Sequence, residues 1–146
     1  MMPFEYFLQN KEVKTASPDM NLAKSLVKDM FERIEKSLML DSKIFAKMIF
    51  ENIYDALRDF CDALLAINGY KSYSHQASIS YLAKEGFDVS IIEQLDQFRY
   101  KRNGSKYYGQ QIFFEDAEQI RDFYLKNKSK FERIINKKGL KEKRVR

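Results

Sequence analysis

The residues of this chain best suited to chemistry lie together in RYKRNGSKYYGQQ, residues 99–111. The segment carries four cations, Arg99, Lys101, Arg102 and Lys106, two adjacent tyrosines, Tyr107 and Tyr108, two glycines and no acid. Guanidinium groups present planar forks of donors that match phosphate oxygens, and tyrosine adds a neutral hydroxyl and a ring on which a base can stack. Such a cluster holds an external anion, pairs with carboxylates of its own chain, or simply ends a solvated helix.

A helical wheel sharpens the choice. Counting from Ile91, Leu95 falls at about 40°, Phe98 at about −20° and Arg102 at about 20°, so the arginine sits in the centre of the stripe its predecessors bury. Arg99 at about 80° and Lys106 at about 60° flank it. Like charges drawn out of water need an anion, because leaving them unpaired costs several kcal/mol each. Asp55, Asp59 or Asp62 of an earlier helix could supply it internally, and a phosphate could supply it from outside.

The remaining reactive residues exclude several alternatives. The single cysteine, Cys61, permits neither an internal disulfide nor a thiolate metal cluster. Lying between Phe60 and Asp62 on a helix, it reads as an inert, small core residue. The single histidine, His75, leaves any zinc site to carboxylates, and it sits in a polar loop just before a helix. The sequence calls for no metal and no cofactor.

Charge is unevenly placed. The net charge is +5, yet residues 99–111 carry +4 and residues 126–146 hold ten cations against Glu132 and Glu142, leaving the rest of the chain at −7. A positive end of this kind attracts phosphates or an acidic partner. The terminal KKGLKEKRVR reads as a frayed basic tail that aids solubility or adds non-specific RNA affinity.

The elements that must position these residues are all helical in period. At 146 residues the chain is one domain's length, able to bury roughly 68–70% of the surface of its unfolded form. Ser17-Pro18-Asp19 reads as N-cap, first-turn proline and first-turn acid, followed by Leu22, Leu26, Met30, Ile34 and Leu38 on one face. After Asp41-Ser42 a longer helix carries a wide apolar stripe from Ile44 to Ile67 and ends at Asn68-Gly69. The two should pack antiparallel. The loop YKSYS leads to a third helix from about His75 to Lys84, stopped by Gly86. Ser90 and Glu93 have capping-box spacing for a fourth, and a fifth runs from about Glu115 to Lys137 and stops at Gly139. Only KEVKT near the start and QQIFF have any strand period.

The predicted class is therefore all-α, an up-and-down bundle of about five helices over residues 17–138, with an N-terminal extension at 1–16 and the basic tail at 139–146. Apolar runs reach four or five residues, far short of the roughly 18 that span a bilayer. The N-terminal MMPFEYFLQNKE lacks the continuous apolar stretch of a signal peptide. The protein is expected to be cytoplasmic, with no membrane association.

PDMNLAKSLVKDMFERIEKSL, FENIYDALRDFCDALLAINGYKSYSHQASISYL and above all RYKRNGSKYYG resemble the HEPN-domain proteins of archaea and bacteria, over roughly residues 17–138. The resemblance implies a HEPN-like bundle working as a symmetric homodimer. HEPN ribonucleases carry an arginine, often followed by a polar residue, and a histidine four to six positions later. They cleave RNA without metal, the arginine holding the scissile phosphate and the histidine moving protons at the ribose hydroxyl. Arg102 and Asn103 match the first part, but Tyr107 and Tyr108 stand five and six positions on, where the histidine belongs. A tyrosine of pKa about 10 is neutral at pH 7 and a poor base, and losing a general base costs about 10² to 10⁴ in rate. The resemblance thus implies a module binding RNA or nucleotide phosphates through Arg99, Arg102, Asn103, Lys106, Tyr107 and Tyr108, non-catalytic or weakly catalytic. It further implies a possible partner, a minimal nucleotidyltransferase in a toxin–antitoxin type pair. The alternative is a metal-independent endoribonuclease with catalytic Arg102 and with Tyr107 in place of the motif histidine.

Overall fold

Two long amphipathic helices form the axis of the computed structural model, which describes residues 1–141. They are α2 (Met20–Leu38) and α3 (Ala46–Ile67), packed antiparallel along most of their length. Preceding them, α1 (Phe4–Gln9) leads into a short strand, β1 (Val13–Thr15). After α3 come β2 (Tyr70–Ser72), α4 (His75–Ser80) and a 3-10 turn over Tyr81–Glu85. The chain then forms α5 (Val89–Tyr108) and α6 (Phe114–Lys137). The class is all-α, a bundle of six α-helices among the described residues with one two-stranded antiparallel ribbon at its side. No described helix is long and apolar enough to cross a membrane.

Helix α3 is the hub. It buries Ile49, Phe50, Ile53, Tyr54, Leu57, Phe60 and Leu64 among others, more than half its circumference, against α2 on one side and α6, α5 and α4 on the others. The face of α2 turned to it is Ala23, Val27, Met30, Ile34 and Ser37. Steps of four and three alternate there, the period that keeps one stripe on a neighbouring helix. Of the stripe expected at Leu22, Leu26, Met30, Ile34 and Leu38, Met30 and Ile34 are buried, Leu26 and Leu38 pack half-buried against the core, and Leu22 is outside it. Five residues spaced strictly by four drift through about 160°, and Leu22 is accordingly 49% exposed.

Aromatic rings fill the other side of the core. Phe60 meets Phe131 edge-on at 5.0 Å between centroids, and Phe98 meets Phe123 at 5.3 Å, tying α3, α5 and α6 together.

The N-terminal segment is not an extension. Phe4, Phe7 and Val13 are buried in the common core, and β1 pairs with β2 in the register Val13↔Ser72 and Thr15↔Tyr70. KEVKT is thus a strand, and the loop YKSYS holds its partner. The turn between the ribbon and α3 needs Gly69. Its φ is +78°, and a Cβ there would come 2.8 Å from the Ala16 carbonyl oxygen, which is where Ala16 N–H bonds to Gly69 O at 2.8 Å. The same clasp moves the start of α2. Asp19 N–H donates to Ala66 O at 2.9 Å, and Asp19, not Ser17, is the N-cap, its carboxylate accepting from Leu22 N–H at 2.9 Å.

Other boundaries differ for local reasons. The third helix tightens into the 3-10 turn after Ser80 and stops at Gly86. No capping box forms at Ser90 and Glu93, since α5 begins behind Asp88, whose carboxylate faces Lys130 at 3.3 Å instead. QQIFF is irregular up to Phe113 and enters α6 at Phe114; no strand lies beside it among the described residues, and Ile112 is buried as an anchor. The basic tail begins with Leu140 fully buried, and its residues 142–146 lie outside the described ones.

Candidate anion site

Helix α5 runs unbroken through Gly104, so the wheel argument holds and Arg102 turns inward, its side chain 14% exposed. An internal carboxylate does meet it: Nη2 lies 3.4 Å from Asp55 Oδ1. That contact is long, and Asp55 is shared with Arg33 Nη1 at 3.9 Å. The Nε of Arg102 is buried with no hydrogen-bond partner among the described residues. Its Cζ stands 5.7 Å from the centre of the Tyr54 ring.

Arg121 offers a comparison within the same molecule. Its Nε is equally bare, but Nη2 is seated on the Leu40 carbonyl at 2.9 Å and Nη1 faces Glu118 at 3.4 Å. An arginine that ties two elements together holds a short bond between them. Arg102 does not.

The positive charges of α5 and α3 bear on one imidazole. His75, first residue of α4, accepts or donates at Nδ1 with the Tyr54 hydroxyl at 3.1 Å, the two rings stacked with centroids 6.2 Å apart. Burial first, then the positive charges of Arg58, Arg102, Arg99 and Lys106, push its pKa down to about 4. His75 is therefore neutral at pH 7. Tyr54 is buried, and burial raises its pKa. Its hydroxyl has no other acceptor among the described residues, so it donates to Nδ1. The imidazole proton then sits on Nε2.

The surrounding acids are partly committed. Arg99 Nε is held by Asp96 at 2.7 Å one turn away. Asp62 accepts from Ser78 Oγ at 2.8 Å and stands 3.7 Å from Arg58 Nε, which makes no hydrogen bond among the described residues. Burial raises the pKa of Asp62. On the far side of Arg33, burial pushes Asp59 up to about 6.

Of the residues picked from the sequence, Arg99 and Arg102 come together here, with Asn103 half-buried beside them. Lys106 is exposed one turn on, its Nζ 5.4 Å from the centre of the Tyr107 ring. Tyr107 and Tyr108 are 65% and 81% exposed. Tyr107 lies about 140° round α5 from Arg102, on the other side of the helix. Tyr54 and Arg58 were missed as members, and His75 read as part of a polar loop. Tyr54 and Arg58 share a helix face at i,i+4 spacing, which hints at a joint role, but no sequence signal brings His75 to them. Cys61 is fully buried and burial raises its pKa, as befits an inert core thiol. Among the described residues no group of His, Cys, Asp and Glu is placed to hold a metal ion.

Gly104 has a separate task. An interior helical glycine costs about 1 kcal/mol relative to alanine, so its place calls for a cause. The Gln110 side chain folds back onto α5 there: a Cβ on residue 104 would overlap the Gln110 amide, and Gln110 N–H donates to Gly104 O at 3.1 Å.

The chain matches no protein-family model, no characterised protein and no solved structure at a significant level.

Proposed function

We propose that the surface formed by α3, α4 and α5 around Arg102 binds phosphate groups of RNA or of a nucleotide, in a HEPN-like cytoplasmic module that works as a homodimer. One observation carries the reading: Arg102, turned inward from α5, has a single long contact to a carboxylate shared with Arg33 and a buried Nε with no partner among the described residues. Arg102 supplies its Nη hydrogens, and Arg58 and Arg99 add charge. The phosphate oxygens accept from Arg102 and displace only its 3.4 Å contact to Asp55.

The same arrangement favours binding over cleavage. A general base needs an unprotonated nitrogen or oxygen within reach of the ribose hydroxyl. His75 spends Nδ1 on Tyr54, and Tyr107 stands on the other side of α5. The partner implied by the HEPN resemblance, a minimal nucleotidyltransferase in a toxin–antitoxin type pair, belongs to this proposal.

The test is incubation with labelled RNA in the absence of metal, beside Arg102→Ala. Salt-sensitive binding that the substitution removes, without cleavage, is the expected result. Cleavage lost in Arg102→Ala would instead establish a ribonuclease, and RNA binding unchanged in the variant would refute the site. Light scattering on a size-exclusion column reads the dimer, which a monomer at micromolar concentration would exclude.

A further inference from the structure

All three residues of β2 line a cavity of about 390 Å³ that has Asp62 and Leu65 of α3 in its wall and Asp19, Leu22 and Leu26 of α2 beside them. No residue of β1 takes part. The cavity therefore lies on the β2 side of the ribbon.

What β2 turns to it is backbone, because the three side chains of the strand are engaged elsewhere. The Tyr70 ring packs edge-on against Phe4 at 5.2 Å between centroids, Lys71 Nζ stands 5.5 Å from the centre of the Tyr73 ring, and Ser72 Oγ donates to the Ser74 carbonyl at 2.6 Å. The register shows which backbone groups are spare. Ala16 N–H bonds to Gly69 O and Tyr73 N–H to Glu12 O, each at 2.8 Å, so the bonded pairs of the ladder are 12 with 73, 14 with 71 and 16 with 69. The N–H and C=O groups of Tyr70 and Ser72 point away from β1. They make no hydrogen bond among the described residues.

We infer that this edge docks an extended segment of a protein partner, which adds to β2 as a third strand and alternates apolar with basic side chains. An open edge is a template for another chain, and soluble proteins blunt theirs with charges, bulges or a covering element. Here the edge opens on leucine. Leu22 is 49% exposed and Leu26 only half-buried, so the wall stays apolar beyond what the core covers. Charge selects the partner. Asp19 and Asp62 are the acids of the lining, and its one cation, Lys71, holds its ammonium near the Tyr73 ring. Asp62, bonded to Ser78 Oγ, meets Arg58 only at 3.7 Å. Asp19 N–H is bonded to Ala66 O, and Asp62 lies one turn of α3 from Ala66, about 5–6 Å. That offset is close to the roughly 6.5 Å between alternate residues of a strand.

The inference does not depend on the Arg102 site, and NMR of the 15N-labelled protein separates the two. The probe is a blocked pentapeptide, Val-Arg-Val-Arg-Val. Saturable shifts are expected at the Tyr70 and Ser72 amides, with slowed hydrogen exchange there. The counterpart Val-Glu-Val-Glu-Val, which meets Asp19 and Asp62 with like charge, and the fully N-methylated probe, which cannot donate along an edge, should each bind about tenfold or more weakly. Leu22→Glu, at an exposed position, should weaken the probe likewise while circular dichroism stays unchanged, and in Arg102→Ala affinity should hold within about twofold. No saturable binding, equal binding of the glutamate or N-methylated peptide, binding indifferent to Leu22→Glu, or shifts confined to the Arg102 surface would overturn it. Two other occupants would overturn it as well. Tighter binding of KEKRVR, residues 141–146, would assign the edge to the chain's own tail, and protection of the Tyr70 and Ser72 amides that rises with protein concentration in the absence of peptide would assign it to a second copy.

Discussion

Replacing Arg102 by methionine tests whether this arginine serves folding or binding. Methionine keeps the apolar stem over Tyr54 and removes the charge, so packing is held nearly constant. On the losing side are one partly solvated ion pair, 3.4 Å from a carboxylate that Arg33 also faces, worth about 0.2–1 kcal/mol, and the cation–π contact with Tyr54, worth about 0.5–1 kcal/mol. On the gaining side, the buried unpartnered Nε ceases to be desolvated, which returns about 1–3 kcal/mol, and the crowding of positive charge round His75 is relieved. The terms nearly cancel. Arg102→Met should change stability by no more than about 1 kcal/mol in either direction, or about 2–4 °C in Tm. Phosphate or RNA affinity should fall about tenfold or more at low salt.

Urea unfolding of both proteins, with filter binding of labelled RNA on the same preparations, reads the two quantities. A true internal ion pair behaves in the opposite way: removing one member of a buried pair costs about 3–5 kcal/mol. Destabilisation of that size with RNA binding unchanged would refute the anion-site reasoning and assign Arg102 to the core. A double-mutant cycle with Asp55→Asn adds a second check, since the long, shared contact implies a coupling energy below about 1 kcal/mol.

Three further outcomes follow from the structure. Between pH 6.5 and 4 the unfolded chain takes up the His75 proton and the folded chain, with His75 pushed down to about 4, does not. This residue therefore makes stability fall as the pH is lowered through that window, and His75→Gln should remove that loss in urea titrations at pH 7 and pH 5. Asp59, pushed up to about 6, has the opposite sign. The folded state binds its proton first, so acidification from pH 6 toward 4 stabilises, and Asp59→Asn should lose that gain in the same titrations. Deleting residues 1–16 removes Phe4, Phe7 and Val13 from the core and the partner of β2; each large side chain lost there costs on the order of 2–5 kcal/mol, so the truncated chain should be unfolded or proteolysed at once, where a true extension would be dispensable.

The helical class was legible because the apolar period persists over α2, α3 and α6, and Arg102 was legible because Leu95 and Phe98 fix the inward side of α5. Misreadings arose where tertiary partners overrule local signals. Ser17 has the chemistry of an N-cap, but the clasp between Ala16 and Gly69 delays the helix to Asp19. Phe4 and Phe7 stand in a six-residue helix too short to show a period, so only the finished core reveals them as members of it. The anion site itself depends on pairs 21 and 47 residues apart, Tyr54 with His75 and Asp55 with Arg102. No local spacing encodes such pairs. A motif counted along the chain, five positions from Arg102 to Tyr107, likewise says nothing of the helix turn that carries the tyrosine to the other side.

The lengths of the ion pairs give the site its character. Charges held within a turn of α5 are tight, as with Arg99 and Asp96 at 2.7 Å. Those that face α3 are loose: Arg102 to Asp55 at 3.4 Å, Arg33 to Asp55 at 3.9 Å and to Asp59 at 3.7 Å, and, within the helix, Arg58 to Asp62 at 3.7 Å. Loose pairs are a weak way to hold helices together, since the desolvation of each charge is only partly offset, and the aromatic core between α3, α5 and α6 already does that. They are a good way to keep guanidinium groups in place yet available. A phosphate forming charge-assisted bonds of about 2.7–2.9 Å gains more from each arginine than the carboxylate it displaces, and the freed Asp55 retains Arg33. On the proposed reading, the acids of α3 act as place-holders, keeping the cations from repelling one another until an external anion arrives.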